Sequence, residues 1–407
     1  MPRTCAPFLC IIAIAAACND SGGSGSVAPP PGPVTPATMA VSGLGAVAER
    51  YTAEVWAAGH YAYTTTWGRR GNAQTPGNAI YIWDLAGNVP TLVDSVVETS
   101  DDITTLGDVQ LSDDGTLLVV PTERAPGSII VFDLTNPRRP VPRSRFFSQD
   151  IDAGVHTCTI ARVDGVLYAF LAVNASTARP ARLVIVDLAD PAQPTQVLVG
   201  EMGRPIVHDM FVRDGLLFAA LWNDGLNVFD VGGGGAGGSV RNPVLLGSVV
   251  TVGGNVHNVW WVHDPVTQSK RFAIVGEEGP GVVGATSSGD IHVVDLADIA
   301  HPKEVAFLHV DDAGTHNFSV DETRGILYAA YYNAGVQAID VRGDLSACPD
   351  SARVGDRCSL KLAGRLLGQG LLDQGTAVYV WGVHYLNGRV YATDMLNGIW
   401  ALTALTR

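Results

Sequence analysis

Four histidines recur at similar places along the chain and are the side chains best suited to chemistry. His156, His208, His257 and His316 open the β-patterned runs GVHTCTI, IVHDMFV, NVHNVWW and GTHNFSV. Asp108 of LGDVQLS holds the matching place before them. Imidazoles that converge with a carboxylate bind transition metals. The spacing therefore predicts a metal site if the fold brings these residues together.

A metal site is one of three interpretations of this set. Cys158 lies two residues after His156, which is the same face of an extended strand, so it is either a thiolate ligand or a small core residue. The histidines can instead lock neighbouring repeats by hydrogen-bonding backbone groups. They can also contact an organic ligand, and the sequence leaves these interpretations open.

A second pattern is an apolar run that ends in Asp. It predicts a repeated β-strand, and these repeats must position the histidines. The runs are AIYIWD, SIIVFD, RLVIVD, GLNVFD, DIHVVD and GVQAID, ending at Asp84, Asp133, Asp187, Asp230, Asp295 and Asp340, with a degenerate copy, NGIWALT, around Trp400. Asp at such a position caps the following turn by accepting hydrogen bonds from backbone N–H groups. We therefore interpret these aspartates as structural.

Each copy follows a pair of β-patterned runs, and most copies precede another strand. Four short strands repeated seven times, at roughly 50-residue intervals, predict an all-β, seven-bladed β-propeller of four-stranded antiparallel blades. The seventh copy lacks a following strand, and residues 39–47, MAVSGLGAV, resemble the missing one. Pairing the N-terminal strand in the last blade would close the ring and leave no free edge.

In a propeller the first strand of each blade lines the central channel, so the histidines should surround one mouth. Thr52 or Glu54, and Trp381, occupy the corresponding place in the two remaining repeats. Residues that end the second strands should form a polar rim at the same mouth. This predicted ligand-binding rim comprises Asn223, Asp224, Glu277, Glu278, Asn333 and Asp394.

The N-terminal region predicts export. Residues 1–17 combine Arg3 with a short apolar stretch and small residues, which is typical of a signal peptide. Cys18 follows in a setting that resembles a bacterial lipobox, except that Ala15 stands where Leu is usual. Residues 18–38 then form a lipidated Ser/Gly/Pro tether and residues 39–407 the propeller. The alternative is simple cleavage and a soluble secreted or periplasmic protein.

The net charge and the cysteines indicate the cellular compartment of the protein and the partners that it can have. With 26 Lys+Arg against 40 Asp+Glu, the formal charge is -14, so nucleic acid is not expected as a partner. Cys348 and Cys358 bracket a polar insertion and predict a local disulfide in an oxidising compartment, or else two free thiols. Asn19 after the cysteine favours the outer membrane or cell surface over the inner membrane, and a monomer is expected.

The segment RLVIVDLADPAQPT, residues 182–195, is similar to the LVIVD-repeat propellers of bacterial envelope proteins. This resemblance covers nearly all of residues 39–407 and implies the fold, because propellers host binding modules, scaffolds and enzymes alike. A narrower resemblance, through HDM at 208–210, links the channel to selenium-binding, methanethiol oxidase-type propellers. The histidines of those propellers are associated with copper.

Two functions follow from these observations. The first is a non-catalytic envelope module, anchored in the membrane through its N-terminal lipid, that binds a protein, glycan or small molecule at the histidine-ringed mouth. The alternative is a copper-type, metal-dependent oxidoreductase that uses the channel histidines. The sequence contains no Gly-x-Ser-x-Gly elbow and no His-Glu-x-x-His motif, and we assign no catalytic residue from it.

Overall fold

The computed structural model describes residues 35–100, 103–202, 206–372 and 375–406. The described residues lie within one compact unit, Gly32–Arg407. The predicted signal peptide, the lipidated Cys18 and most of the tether fall outside the described residues. Ala37 and Thr38, at the end of the predicted tether, form a short strand that pairs in parallel with residues 368–369.

Alternating and continuous apolar runs produce short strands throughout. In chain order the first twenty strands are β1 (Ala37–Thr38), β2 (Val41–Ala46), β3 (Tyr51–Ala58), β4 (Tyr61–Trp67), β5 (Arg69–Arg70), β6 (Thr75–Pro76), β7 (Ala79–Asp84), β8 (Thr91–Val97), β9 (Gln110–Leu111), β10 (Leu117–Thr122), β11 (Ser128–Asp133), β12 (Val141–Phe146), β13 (Val155–Val163), β14 (Val166–Val173), β15 (Arg182–Asp187), β16 (Thr195–Glu201), β17 (Asp209–Arg213), β18 (Leu216–Ala220), β19 (Leu226–Asp230) and β20 (Val244–Val249).

The remaining strands are β21 (Val256–Trp261), β22 (Phe272–Glu277), β23 (Gly279–Val282), β24 (Thr286–Ser288), β25 (Ile291–Asp295), β26 (Lys303–Leu308), β27 (Phe318–Asp321), β28 (Ile326–Ala330), β29 (Val336–Asp340), β30 (Arg353–Val354), β31 (Arg357–Ser359), β32 (Leu366–Gly370), β33 (Val380–Leu386), β34 (Arg389–Asp394) and β35 (Gly398–Thr403). Within the described residues a 3-10 turn at Asp350–Ala352 is the one helical element, and no helix has the length and apolar character to cross a membrane.

Seven four-stranded antiparallel blades confirm the predicted propeller. Their orders are β3-β4-β7-β8, β9-β10-β11-β12, β13-β14-β15-β16, β17-β18-β19-β20, β21-β22-β25-β26, β27-β28-β29-β32 and β33-β34-β35-β2. The last blade takes its outer strand from the N-terminal side, because Ala46 pairs with Gly398 and Leu44 with Trp400. The predicted ring closure is therefore confirmed.

An apolar layer fills each of the seven junctions between blades. Val120 and Ile130 pack against Tyr63 at the first junction, and Trp83 packs with Ile399 at the last one. These side chains are almost fully buried. Since each junction has its own core, the ring is stabilised by blade-to-blade burial along its whole circumference.

The repeated aspartates act as predicted. Each accepts a hydrogen bond from the backbone N–H two residues later, at 2.7 to 3.1 Å, in Asp84, Asp133, Asp187, Asp230, Asp295 and Asp340. Asp230 also accepts bonds from Gly233, Gly234, Ala236 and Gly238, and so organises the glycine-rich loop. The recurring Asp is thus a turn residue.

The insertion after β29 is fastened to a neighbouring blade. Cys348 and Cys358 form a disulfide, and β31 pairs in parallel with β26. The Arg357 guanidinium contacts the Glu304 carboxylate at 2.6 Å, and this carboxylate also contacts His292 at 2.8 Å. The insertion therefore extends the fifth blade at its outer edge, away from the channel.

Candidate functional site

The inner strands present three successive levels of side chains to the channel. The histidine layer consists of His156, His208, His257, His316 and Trp381. One residue further along the same strands, the carboxyl layer contains Glu54, Asp108, Thr157, Asp209, Asn258 and Asn317. Two residues beyond that, the aromatic layer contains Trp56, Phe211, Trp260 and His384.

Two consecutive residues can face the channel because the strands are irregular where they begin. The pairing register shifts between residues 52 and 55, 155 and 157, 256 and 258, and 380 and 383. A bulge of this kind interrupts the alternation of side chains, so the residues on both sides of it can point the same way. This irregularity accounts for the two layers at His156 and His257, whereas His208 and His316 lie just before β17 and β27 begin.

The four predicted histidines form a continuous row. Ring centroids lie 4.2 Å apart for His156 and His208, 3.9 Å for His208 and His257, and 4.1 Å for His257 and His316. Trp381 continues the row, with its ring 4.2 Å from that of His316. The sequence pattern thus located neighbouring imidazoles that come from four different blades.

Two glutamates approach this row from the ends of second strands. Glu278 Oε2 lies 3.8 Å from Nε2 of both His208 and His257. Glu123 Oε1 lies 3.3 Å from His156 Nδ1. Glu278 was predicted as a rim residue, whereas Glu123 was missed, although it follows β10 as Glu278 follows β22.

Other side chains hold the two glutamates in place. The Tyr332 hydroxyl donates to Glu278 Oε1, and Trp67 Nε1 donates to Glu123 Oε2 at 2.8 Å. The carboxylates are therefore oriented by groups outside the histidine row, and one oxygen of each remains directed at the imidazoles. Such support is typical of residues that position a ligand set.

The environment divides the histidines into two kinds. Burial lowers the pKa of His208, His257 and His316 well below the usual value, and neighbouring imidazoles lower it further. Burial also opposes protonation of His156, but the Glu123 carboxylate outweighs it and raises the pKa of His156. Three of the four rings are therefore neutral near pH 7 and have a ring nitrogen lone pair available.

Several ring nitrogens of the row lack close hydrogen-bond partners. These buried atoms are His208 Nδ1, His316 Nδ1 and both ring nitrogens of His257. By contrast, His156 Nε2 lies 2.9 Å from His208 Nε2. The pKa values of His208 and His316 also reflect hydrogen bonds to the backbone of the next blade, at His257 and Trp381, and that of His257 reflects its contact with the Asn258 side chain. Contacts that lock blades and a metal site are therefore both compatible with this row.

Two members of the predicted metal set lie elsewhere. Cys158 is fully buried in the core between the second and third blades, because the bulge before it turns its side chain away from the channel. Asp108 lies in the carboxyl layer, where it accepts hydrogen bonds from the Val109 and Cys158 backbone N–H groups, each at 2.7 Å. The structure therefore does not bring all six residues together.

Five of the six predicted rim residues also point elsewhere. Glu277 contacts Thr251 and His292 inside the fifth blade, and the buried Asp394 accepts bonds from the Tyr379 and Leu396 backbone. Asn333 bonds to Ser287 and the Asp312 backbone. Asn223 and Asp224 lie exposed on a turn.

The carboxyl layer concentrates acidic groups that were only partly predicted. Burial raises the pKa of Glu54 to about 8, that of Asp209 to about 7 and that of Asp108 to about 6, and the Asp108 charge raises the first two further. Sequence reasoning offered Glu54 as one of two possibilities and missed Asp209. Asp209 directly follows a histidine of the recurrent pattern, which is the signal that could have identified it.

Comparison with known proteins supports the fold. The C-terminal WD40 domain of Sif2 matches with a TM-score of 0.51 and 11% sequence identity, over 87% of this chain and 82% of that chain. Identity at this level shows the propeller fold and carries no function. No protein-family model matches the chain, and no curated protein matches its sequence. The LVIVD and methanethiol oxidase-type resemblances stay predictions.

Proposed function

We propose that this propeller is a binding module and that the histidine layer holds a transition metal ion. The observation that carries the proposal is the arrangement of His208, His257 and Glu278, whose ligand atoms all lie within 4.8 Å of one another. His208 and His257 come from different blades, and Glu278 follows β22, the second strand of the fifth blade. The site would therefore exist only in the folded ring.

The chemistry of the donor set fits a metal such as copper or zinc. Imidazole nitrogens and a carboxylate oxygen suit both ions, and neither buried ring nitrogen of His257 forms a close hydrogen bond that would compete with a metal ion. Bonds of about 2.0–2.2 Å place tetrahedral ligand atoms roughly 3–3.6 Å apart. The observed separations, 3.8 Å between each Nε2 and Oε2 and no more than 4.8 Å for any pair of the set, are longer, so the three side chains would have to move closer together to bind the ion.

The surrounding residues would orient the ligands. Tyr332 holds Glu278, and the stacked Trp222 ring lies 5.2 Å from the His208 ring. His156, paired with Glu123, adjoins His208 and is a further donor beside the three. A bound copper ion would supply one-electron chemistry or a Lewis acid at this mouth.

A copper-dependent oxidoreductase is the second candidate, and access to the site favours it. A cavity of about 500 Å³ borders His156, His208, Glu278 and Trp222. A small substrate could therefore approach the proposed metal from the mouth of the channel. Turnover that requires added copper would favour this reading, whereas tight metal binding without turnover would favour a binding module.

Metal titration of the purified full-length protein tests the proposal. After treatment with a chelator, we expect one equivalent of Cu²⁺ or Zn²⁺ to bind in calorimetry and to remain in elemental analysis. The double variant His208→Ala, His257→Ala should lose this equivalent. The matched variant His60→Ala, His301→Ala changes two exposed histidines and should retain it.

Two results would overturn the metal assignment. One is a wild-type protein that binds no equivalent of either ion. The other is a folded His208→Ala, His257→Ala variant that keeps the full equivalent. Circular dichroism on the same samples separates loss of the metal from loss of the fold.

We also propose that the module is anchored to the bacterial cell envelope through a lipid on Cys18. The support is the short apolar segment before this cysteine and the Ser/Gly/Pro-rich stretch after it. A Cys18→Ala variant should leave the membrane fraction when cells are fractionated. If the variant stays in that fraction, Cys18 is not the anchor.

A further inference from the structure

The other end of the channel contains a second cavity that the metal proposal does not use. It has a volume of about 230 Å³ and lies beyond the carboxyl layer, against the aromatic layer. We propose that this cavity binds a small organic cation, with an ammonium group at the carboxyl layer and an apolar body against Trp56, Phe211 and Trp260. This site goes beyond the proposed metal function, and the carboxyl layer at Glu54 and Asp108 is shared with the histidine side of the channel.

Charge is the first support. Glu54, Asp108 and Asp209 all line the cavity, and no lysine or arginine is among its lining residues. None of these three carboxyl groups forms an ion pair with a basic residue in the described chain. They bond to backbone N–H groups and to the side chains of Asn317, Gln110 and Thr157. Burial without a counterion disfavours the ionised form of these carboxyl groups and raises their pKa values. A bound ammonium group would favour the ionised form and so complement this layer.

A buried amide is the second support. Asn258 lines the same cavity and has only 3% of its surface exposed, and its side chain contacts the His257 ring rather than a basic residue. An ammonium group carries up to three N–H donors. A primary amine could therefore contact a carboxylate and an amide oxygen together.

The walls supply the third support, because they suit the apolar part of such a ligand. The Phe211 and Trp260 rings lie 5.1 Å apart, and the Trp56 ring lies 4.9 Å from that of His384. Trp260 is held from below by Glu322, at 3.2 Å from its indole Nε1. Glu322 also pairs with Arg213 at 2.8 Å, so the guanidinium near this rim is neutralised. Aromatic faces also attract cations directly.

Size limits the ligand class. The cavity is smaller than the roughly 300–1,000 Å³ of pockets for drug-sized molecules. A single aromatic ring on a short aminoalkyl chain is a suitable probe. Phenethylamine has this form, 2-phenylethanol replaces its ammonium with a hydroxyl, and 3-phenylpropanoate replaces it with a carboxylate.

Calorimetry with these three probes on the chelator-treated, full-length protein tests the proposal. We expect phenethylamine to bind at least tenfold more tightly than 2-phenylethanol, and 3-phenylpropanoate not to bind. Asp209→Asn keeps the side-chain shape and removes one charge, so it should weaken phenethylamine binding about tenfold, which is about 1.4 kcal/mol. Asp164→Asn, the same change at an exposed turn, should have no effect.

Equal affinities of the wild type for the amine and the alcohol would overturn the proposal. So would unchanged amine binding in a folded Asp209→Asn variant. If that variant does not fold, the wild-type probe series still decides. Amine binding by the His208→Ala, His257→Ala variant separates failure of this site from failure of the metal site.

Discussion

The histidine layer and the aromatic layer occupy the same channel and the same inner strands, yet they suit opposite kinds of ligand. His208 and Phe211 lie three residues apart on one chain segment, as do His257 and Trp260. The histidine layer presents nitrogen ligands beside Glu278, whereas the aromatic layer presents aromatic faces. One short strand can therefore contribute to two different sites, because its side chains reach the channel at successive depths.

The carboxyl layer between them explains how these two ends can differ. Burial disfavours charge at both levels, so it lowers the pKa of His257 and His316 and raises that of Glu54 and Asp209. The histidine layer and the carboxyl layer are therefore each stabilised by a ligand that does not suit the other layer. A metal ion uses neutral imidazoles, whereas an organic cation compensates carboxylates.

Single substitutions at each end of the channel should produce the largest effects on ligand affinity. His257→Leu removes a proposed ligand and should weaken metal binding by about a hundredfold or more, because altering groups behind a ligand already costs roughly 10–100-fold. It should leave phenethylamine affinity within about twofold. Trp260→Leu should do the reverse and weaken phenethylamine by about two- to thirtyfold, the range expected for a lost cation–π contact.

Calorimetry with each ligand on each variant measures these two affinities. Asp164→Asn, at an exposed turn outside the channel, serves as the control and should leave both affinities unchanged. If either single substitution weakened both ligands equally, the two ends would be one site and the comparison would fail.

Removing the disulfide should affect stability and neither end of the channel. The bond closes a short loop between positions separated by 10 residues, for which chain entropy predicts a loss of about 2–3 kcal/mol. The Cys348→Ser, Cys358→Ser variant should therefore unfold at lower denaturant concentration. Metal and phenethylamine titrations of the folded variant should match the wild type, and a change in either would show that the fifth blade's edge is coupled to the channel.

A smaller effect, on the pH dependence of stability, should distinguish the buried carboxyl layer from carboxylates on the surface. Burial raises the pKa of Glu54 to about 8, so folding favours its protonated form. The associated stability is complete below about pH 4.5 and is lost as the pH rises through about 8. Glu54→Gln cannot ionise, so its melting temperature relative to wild type should increase between pH 5 and pH 9.

Thermal melts of chelator-treated protein at both pH values check this sign. Glu201→Gln changes an exposed glutamate and should show a flat difference. A Glu54→Gln difference that is also flat would mean that Glu54 is not buried as a charge-sensitive member of the carboxyl layer.

Much of the architecture could be predicted from local patterns. The recurrent Asp after each apolar run marked the third strand of six blades, and residues 39–47 were correctly assigned to close the seventh. The histidine pattern also identified four side chains that meet. It failed for Cys158, because a bulge beside residue 156 changes which way the following side chains point. It also failed for Asp108, which lies before β9 and bonds to the Cys158 backbone instead.

The sequence by itself determined the repeat, the turns and the residue types that each inner strand carries, because those features depend on neighbours within one blade. Only the tertiary structure decided that Glu123 and Glu278 reach the histidines while Glu277 and Asp394 do not. It also decided that Glu54, Asp108 and Asp209 share one level of the channel. These outcomes depend on strand register and on contacts between blades distant in sequence, where a shift of one residue reverses the face that a side chain occupies.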